Sequence, residues 1–239
     1  MKRVSLIRYW VFLALFCAVS PARAALNIDI IGAGENQIPI AIVPFANEGK
    51  LAQSISEVVS LDLKRSGLFR LVNPTSKTPH DLHEVVYADW RGADAFAIGS
   101  VETQQDGRVM VKFRLLDAVK QTELFGQAVT AKGDQMRAIG HRIADLIYEK
   151  LTGNPGVFST RIAYVNRLGK NNRLVVADSD GYNDQVVRSI SDPIMSPAWS
   201  PDGSQLAYVT LEHGHAVIYV QSLVTNQRRV LANMRGSNS

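Results

Sequence analysis

The sequence predicts an α+β N-terminal domain, a mixed sheet with packed helices, followed by an incomplete all-β propeller. Three observations carry this. Up to residue 154 strand-type segments alternate with segments of helical period, and past Pro155 no helix-period segment recurs. From there the chain repeats itself at an offset of 44 residues without a gap. Ile162-Ala163-Tyr164-Val165 falls over Leu206-Ala207-Tyr208-Val209, Leu174-Val175-Val176 over Ile218-Tyr219-Val220, and Val186-Val187 over Val230-Leu231. A period in the low forties made of several short strands is the pattern of a propeller blade; ankyrin and TPR units are shorter and helical.

Residues 1–24 read as a secretory signal. A basic start, an apolar run from Tyr9 to Val19 and Ala22-Arg23-Ala24 ahead of Ala25 place the cleavage between Ala24 and Ala25. The rival reading, a membrane anchor, needs roughly 20 apolar residues, and this run is about half that. The domain reading is therefore 1–24 signal peptide, 25–154 α+β domain, and 158–239 partial propeller with two blades of about 44 residues.

Within the α+β domain, Leu26, Ile28 and Ile30 alternate with Asn27 and Asp29 before Gly32-Ala33-Gly34, a strand pattern with a flexible exit. Such a terminal strand can pair locally or add itself to the sheet edge of a partner. Ile38 to Phe45 (IPIAIVPF) is almost continuously apolar and reads as a strand covered on both faces. Lys50 to Ser66 places Leu51, Ile55, Val58, Val59 and Leu63 on one helical face and ends at Gly67. Leu68 to Val72 reads as a strand, Pro74 to Pro79 as a loop and Asp81 to Trp90 as a helix. Asp94 to Val101 and Arg108 to Asp117 form a hairpin over Gln105-Asp106-Gly107, and Glu123 to Thr130 adds a strand. Asp134 to Leu151 is a helix with Asp134 as N-cap, an inner stripe of Met136, Ile139, Ile143, Leu146 and Ile147, and Gly153 with Pro155 to end it.

In the repeat region Ser196 to Gly203 (SPAWSPDG) reads as the linker between units, with Asp202-Gly203 as the reversal and Trp199 as a ring to pack between blades. A propeller closes with about 4 to 8 blades. Residues 158–239 hold two, so the chain is expected to be a fragment, or a shortened form, of a larger propeller protein.

The chemistry is limited by composition. Of 26 basic residues, Lys2, Arg3, Arg8 and Arg23 precede Ala25 and no acidic residue does, so the remainder carries 22 of each sign. A neutral mature chain gives no electrostatic footprint for nucleic acid, and a chain whose one cysteine, Cys17, leaves with the signal suits an oxidising compartment. His80 with His83, and His213 with His215, have no carboxylate or thiol spaced to close a metal site and read as solvated loop residues. Asp178-x-Asp180-Gly181 with Asp184 resembles a calcium loop, but Ser189 stands where its last acid belongs. Gly-x-Ser-x-Gly, Walker and HExxH stretches are absent from the 239 residues. The reading is a non-enzymatic binding protein with no catalytic residue, cofactor or metal.

These segments resemble the TolB family. The resemblance runs through IPIAIVPF, Leu61 to Phe69 (LDLKRSGLF), Glu149 to Val165 (EKLTGNPGVFSTRIAYV), Asp180-Gly181-Tyr182-Asn183 and Pro193 to Val209 (PIMSPAWSPDGSQLAYV). It implies a six-bladed propeller after the α+β domain and a periplasmic, non-enzymatic role in the Tol-Pal system, supporting outer-membrane invagination at cell division and envelope integrity. It also implies two partners, TolA at the mature N-terminus and the lipoprotein Pal at the propeller mouth, with other outer-membrane proteins as further candidates. The TolA role falls on Ala25, Leu26, Asn27, Ile28, Asp29 and Ile30. The Pal surface is drawn mostly from later blades, so no residue here is assigned to it. The alternatives are the propeller of a prolyl-oligopeptidase-like peptidase without its hydrolase domain, and a sugar- or metal-binding periplasmic propeller.

Overall fold

A computed structural model describes residues 36–234. Ala24, Ala25 and the expected partner segment Ala25 to Ile30 lie outside the described residues. The first sheet has the order β2-β1-β3-β4-β5. Strand β1 (Ile38–Ile42) lies parallel to both β2 (Phe69–Leu71) and β3 (Ala95–Thr103), whereas β3, β4 (Val109–Asp117) and β5 (Thr122–Ala131) run antiparallel. The continuous apolar run of β1 follows from this central position. Ile40 faces the core shared with the helices, while Ala41 and Val43 face a second cluster with Trp90, Phe96 and Leu116. The strand is shorter than the apolar run to Phe45. Pro44 has no N–H to offer a ladder, and the chain continues through Val43 N–H to Ala97 O and Ala46 N–H to Gly99 O, both at 2.9 Å.

Helices α1 (Ile55–Arg65) and α2 (Met136–Thr152) pack together against one face of the sheet. α1 begins at Ile55 rather than near Lys50 because Ser54 caps it, its Oγ accepting the Glu57 N–H at 3.2 Å. Lys50, the expected start of the helix, instead ends a separate 3-10 turn, Glu48–Lys50, and the buried Glu48 carboxylate accepts the N–H groups of Phe45 and Ser56 at 3.0 Å each. In α2, Met136, Ile139, Ile143 and Ile147 are buried as the spacing required, and Leu146 is half-buried. Asp134 is not its N-cap. A 3-10 turn at Gly133–Gln135 precedes the helix, Gln135 occupies the cap position, and the Gln135 side chain accepts the Lys132 N–H at 3.1 Å. The helices meet at Gly140, where a Cβ would stand 2.8 Å from the Val58 side chain.

Asp81 to Trp90 is not one helix. Two 3-10 turns, Leu82–Glu84 and Tyr87–Trp90, are separated at Val85-Val86, where the backbone is extended. β-branched residues resist helical χ1 crowding, and the segment is held instead by Trp90, whose ring stacks on Phe96 at 4.3 Å.

The remaining strands form two antiparallel sheets. One contains β6 (Arg161–Leu168), β7 (Asn171–Asp178) and β8 (Gln185–Ile190); the other contains β9 (Ile194–Trp199), β10 (Gln205–Thr210), β11 (Val217–Ser222) and β12 (Arg228–Ala232). β6, β7 and β8 correspond to β10, β11 and β12 at the repeat offset, which makes these sheets two blades of a partial propeller. The expected linker is corrected: its first half, Ser196 to Trp199, belongs to β9, and the turn is Ser200 to Ser204. Pro197 is tolerated because β9 is an edge strand. Among the described residues the first blade has no counterpart of β9, and the corresponding stretch, 150–155, is spent on the end of α2 and its Gly153 stop. Both blades share one core of Leu174, Val176, Ile194, Leu206, Tyr208 and Val217, with Trp199 packed against it.

Candidate functional site

Two groups of polar side chains among the described residues stand at junctions between elements. The first follows from α2 having two inward faces. Its apolar stripe meets the sheet, whereas Arg137, His141 and Asp145, spaced i, i+4 and i+8, form a polar stripe. Asp145 accepts the N–H of Phe158 at 2.7 Å and that of Ser159 at 3.1 Å, which fixes the chain where it leaves α2 for the first blade. Gly156 fits beneath this carboxylate because it has no side chain; a Cβ there would stand 2.4 Å from Asp145 Oδ1. Ser179 completes the anchorage, donating its Oγ hydrogen to Phe158 O at 2.7 Å and its N–H to Thr160 O at 3.1 Å.

Next to it, His141 Nδ1 lies 2.5 Å from Asp62 Oδ2 of α1, and Asp62 Oδ1 accepts from Arg65 at 3.0 Å. Asp180, in the turn between β7 and β8, reaches the same place from the blade. It pairs with Arg137, its Oδ1 accepts the Tyr182 N–H at 3.0 Å, and its Oδ2 stands 3.8 Å from His141 Nε2. The side chains of Asp62, His141 and Asp180 are almost wholly buried, and the Arg137 guanidinium also covers the Tyr182 ring at 4.1 Å. Asp178 ends β7 and Asp180 lies in the turn after it, close to the blade turn the repeat implied, but Asp180 also serves the junction. Sequence reading missed Asp62, Arg137 and His141 as a group. The signal was the polar i, i+4, i+8 spacing on α2, which by itself reads as a solvated face.

The second junction lies between the blades. Glu212, after β10, accepts from Arg188 of the first blade at 3.1 Å and from both terminal nitrogens of Arg228 of the second at 3.0 and 2.8 Å. The Arg228 guanidinium, with Arg188 adding to it and desolvation working against both, holds the Glu212 carboxyl down at about 2. Arg228 also lies over the Tyr219 ring at 4.2 Å. Gln221 crosses between the blades, its Nε2 donating to Val187 O at 3.2 Å while its Oε1 accepts from the buried Tyr208 hydroxyl at 2.7 Å. Trp199 fills the expected place between blades, with Arg161 over its ring at 5.0 Å.

Among the loop histidines, His83, His213 and His215 are exposed as expected. His80 departs from the expectation: it is half-buried, with its backbone N–H donated to Glu84 at 2.7 Å. His213 and His215 are tied to Tyr219 and Asn233 at 3.2 and 2.6 Å. No helix among the described residues is long and apolar enough to cross a membrane.

Comparison with known proteins decides the family. The TolB amino-terminal domain matches residues 26–124, and the TolB beta propeller domain matches residues 148–239. The chain belongs to the TolB family. It is 51% identical over 231 residues to the Tol-Pal system protein TolB of Nitrosomonas europaea, covering 96% of this chain and 54% of that protein. The TolB of Methylobacillus flagellatus is 48% identical over 248 residues, covering all of this chain and 57% of its own length. The crystal structure of TolB from Acinetobacter baumannii superposes with a TM-score of 0.76 at 35% identity, over 84% of this chain and 51% of that one. The chain spans about half the length of the TolB relatives it matches.

Proposed function

We propose that this chain is a periplasmic, non-enzymatic protein-binding component of the Tol-Pal envelope system. In this reading it engages TolA through Ala25 to Ile30 and contributes two blades to a propeller that engages Pal, in support of outer-membrane invagination and envelope integrity. The observation that carries the reading is the co-occurrence, in one chain, of both TolB domain matches in their order. Support also comes from the chemistry of the described polar clusters. Asp145 caps backbone amides and Glu212 neutralises two guanidiniums, so each serves a junction between elements. The peptidase alternative does not account for an amino-terminal TolB domain over residues 26–124.

Isothermal titration with purified TolA and Pal periplasmic domains tests this. TolA should bind the exported chain and lose binding when residues 25–30 are deleted. Pal should bind weakly or not at all, since the family resemblance draws its surface mostly from later blades. Undiminished TolA binding by the deletion, or Pal affinity equal to that of a six-bladed relative, would refute the assignment of these surfaces.

A further inference from the structure

His141 is only half used by the fold. Its Nδ1 is 2.5 Å from Asp62 Oδ2, whereas its buried Nε2 finds no hydrogen-bond partner among the described residues. An imidazole that donates Nδ1–H to a carboxylate presents a lone pair at Nε2. Here the buried Nε2 faces Asp180 Oδ2 across 3.8 Å, too far for a hydrogen bond. With Nδ1 as the donor to Asp62, Nε2 and the carboxylate oxygen are two electron-rich atoms shielded from water, and a proton or a metal cation between them relieves the cost.

We propose that Asp62, His141 and Asp180 form a binding site for a divalent transition-metal ion of the Zn²⁺ type, at the junction of α1, α2 and the first blade. His141 Nε2 and Asp180 Oδ2 are its direct ligands, and Asp62 orients the imidazole. Donor atoms of the three residues lie within 4.8 Å of one another. Ligands about 2.1 Å from one ion stand about 3.4 Å apart at the tetrahedral angle, and a modest opening of that angle reaches the observed separation. A carboxylate on the far nitrogen of the imidazole is the usual outer-shell support of a metal-bound histidine. The mixed nitrogen and carboxylate set selects zinc, cobalt or nickel over calcium and magnesium, which take oxygen donors. Arg137 is the competitor, because its guanidinium contacts the same Asp180 oxygen, while its Nε has no partner among the described residues. Metal entry would shift that guanidinium along the Tyr182 face it already covers.

The test is titration of the chelator-stripped, purified protein with Zn²⁺ by calorimetry and with Co²⁺ by visible absorption. One saturable equivalent with a cobalt d–d spectrum is expected. Asp180→Asn and His141→Ala should each abolish it, Asp62→Asn should weaken it about 10- to 100-fold, and Arg137→Ala should tighten it, with circular dichroism melting run on every variant. If His141→Ala fails to fold, Asp180→Asn, in a blade turn, carries the test. Absence of saturable uptake would overturn the site, as would uptake unchanged in Asp180→Asn or matched by Ca²⁺; nitrogen NMR showing both His141 ring nitrogens protonated in the metal-loaded protein would do the same.

Discussion

Asp145, on the blade-facing side of α2, accepts the backbone N–H of Phe158 at 2.7 Å. With the Ser159 amide held by the same carboxylate, one helix side chain satisfies two donors of the segment that starts the first blade. The Phe158 amide is buried and must find a partner, the Ser159 amide is part-buried, and a charged acceptor makes the stronger bond.

Replacing Asp145 by Ala should therefore cost about 3 kcal/mol, since it leaves two amides unpaired in a partly buried place. Asp145→Asn keeps one acceptor and should cost less. Thermal melts rank the variants, and hydrogen exchange should show protection lost first at Phe158 and Ser159. Equal losses for Ala and Asn would mean that the carboxylate fills space and does not act as an acceptor.

Gly156→Ala probes the same contact from the other side. The added Cβ would stand 2.4 Å from Asp145 Oδ1 and 2.5 Å from Asp145 Cα, and the second of these is backbone that cannot swing away. Overpacking of this kind costs about 1–3 kcal/mol. The double variant Gly156→Ala, Asp145→Ala should lose less than the sum of the two single losses; strict additivity in a double-mutant cycle would show that the two positions do not meet.

What the sequence made legible, and what it hid, divides along a physical line. The stripe of Met136, Ile139, Ile143 and Ile147 announces both a helix and its buried face, because burial of apolar surface imposes the period. The blade strands were equally open to reading, since the second copy checks the first. Strand β9 was hidden because Ser196 and Pro197 carry turn chemistry, and only the edge position makes a proline acceptable there. The cluster around His141 was hidden for another reason. His141 and Asp62 are 79 positions apart and Asp180 belongs to a blade turn, so nothing local relates them. Trp90 and Phe96 are only six positions apart, but their stacking joins a 3-10 turn to strand β3, a contact that follows neither helical nor strand spacing.

Tyr208→Phe should test the crossing between blades. The hydroxyl is buried and donates to Gln221 Oε1 at 2.7 Å, and Gln221 in turn donates to Val187 O. Removing it leaves a buried amide oxygen short of a donor, which costs about 1–2 kcal/mol. Burial also raises the Tyr208 pKa, so the phenol stays a donor through the neutral range. A melting temperature unchanged in Tyr208→Phe would mean that the amide finds another donor.

Glu212 gives the contact between blades a definite dependence on pH. Its folded-state carboxyl is depressed to about 2, first by Arg228 and then by Arg188. A group depressed on folding contributes stability that is fully present above its unfolded value and lost as pH falls through the folded one, so this contribution should fade between about pH 5 and about 2. The pair is partly open to water, with side-chain exposure of 12% for Glu212 and 26% for Arg228. Solvent screening therefore reduces its worth to on the order of 1 kcal/mol. Glu212→Gln should lower stability by about that much at pH 7 and flatten the acid limb of the stability profile, and the gap from the parent chain should close as acid protonates Glu212 there. Denaturant titrations at pH 7, 5 and 3 check this. A gap that stayed constant across the three would show that the side chain holds Arg188 and Arg228 by shape and not by charge.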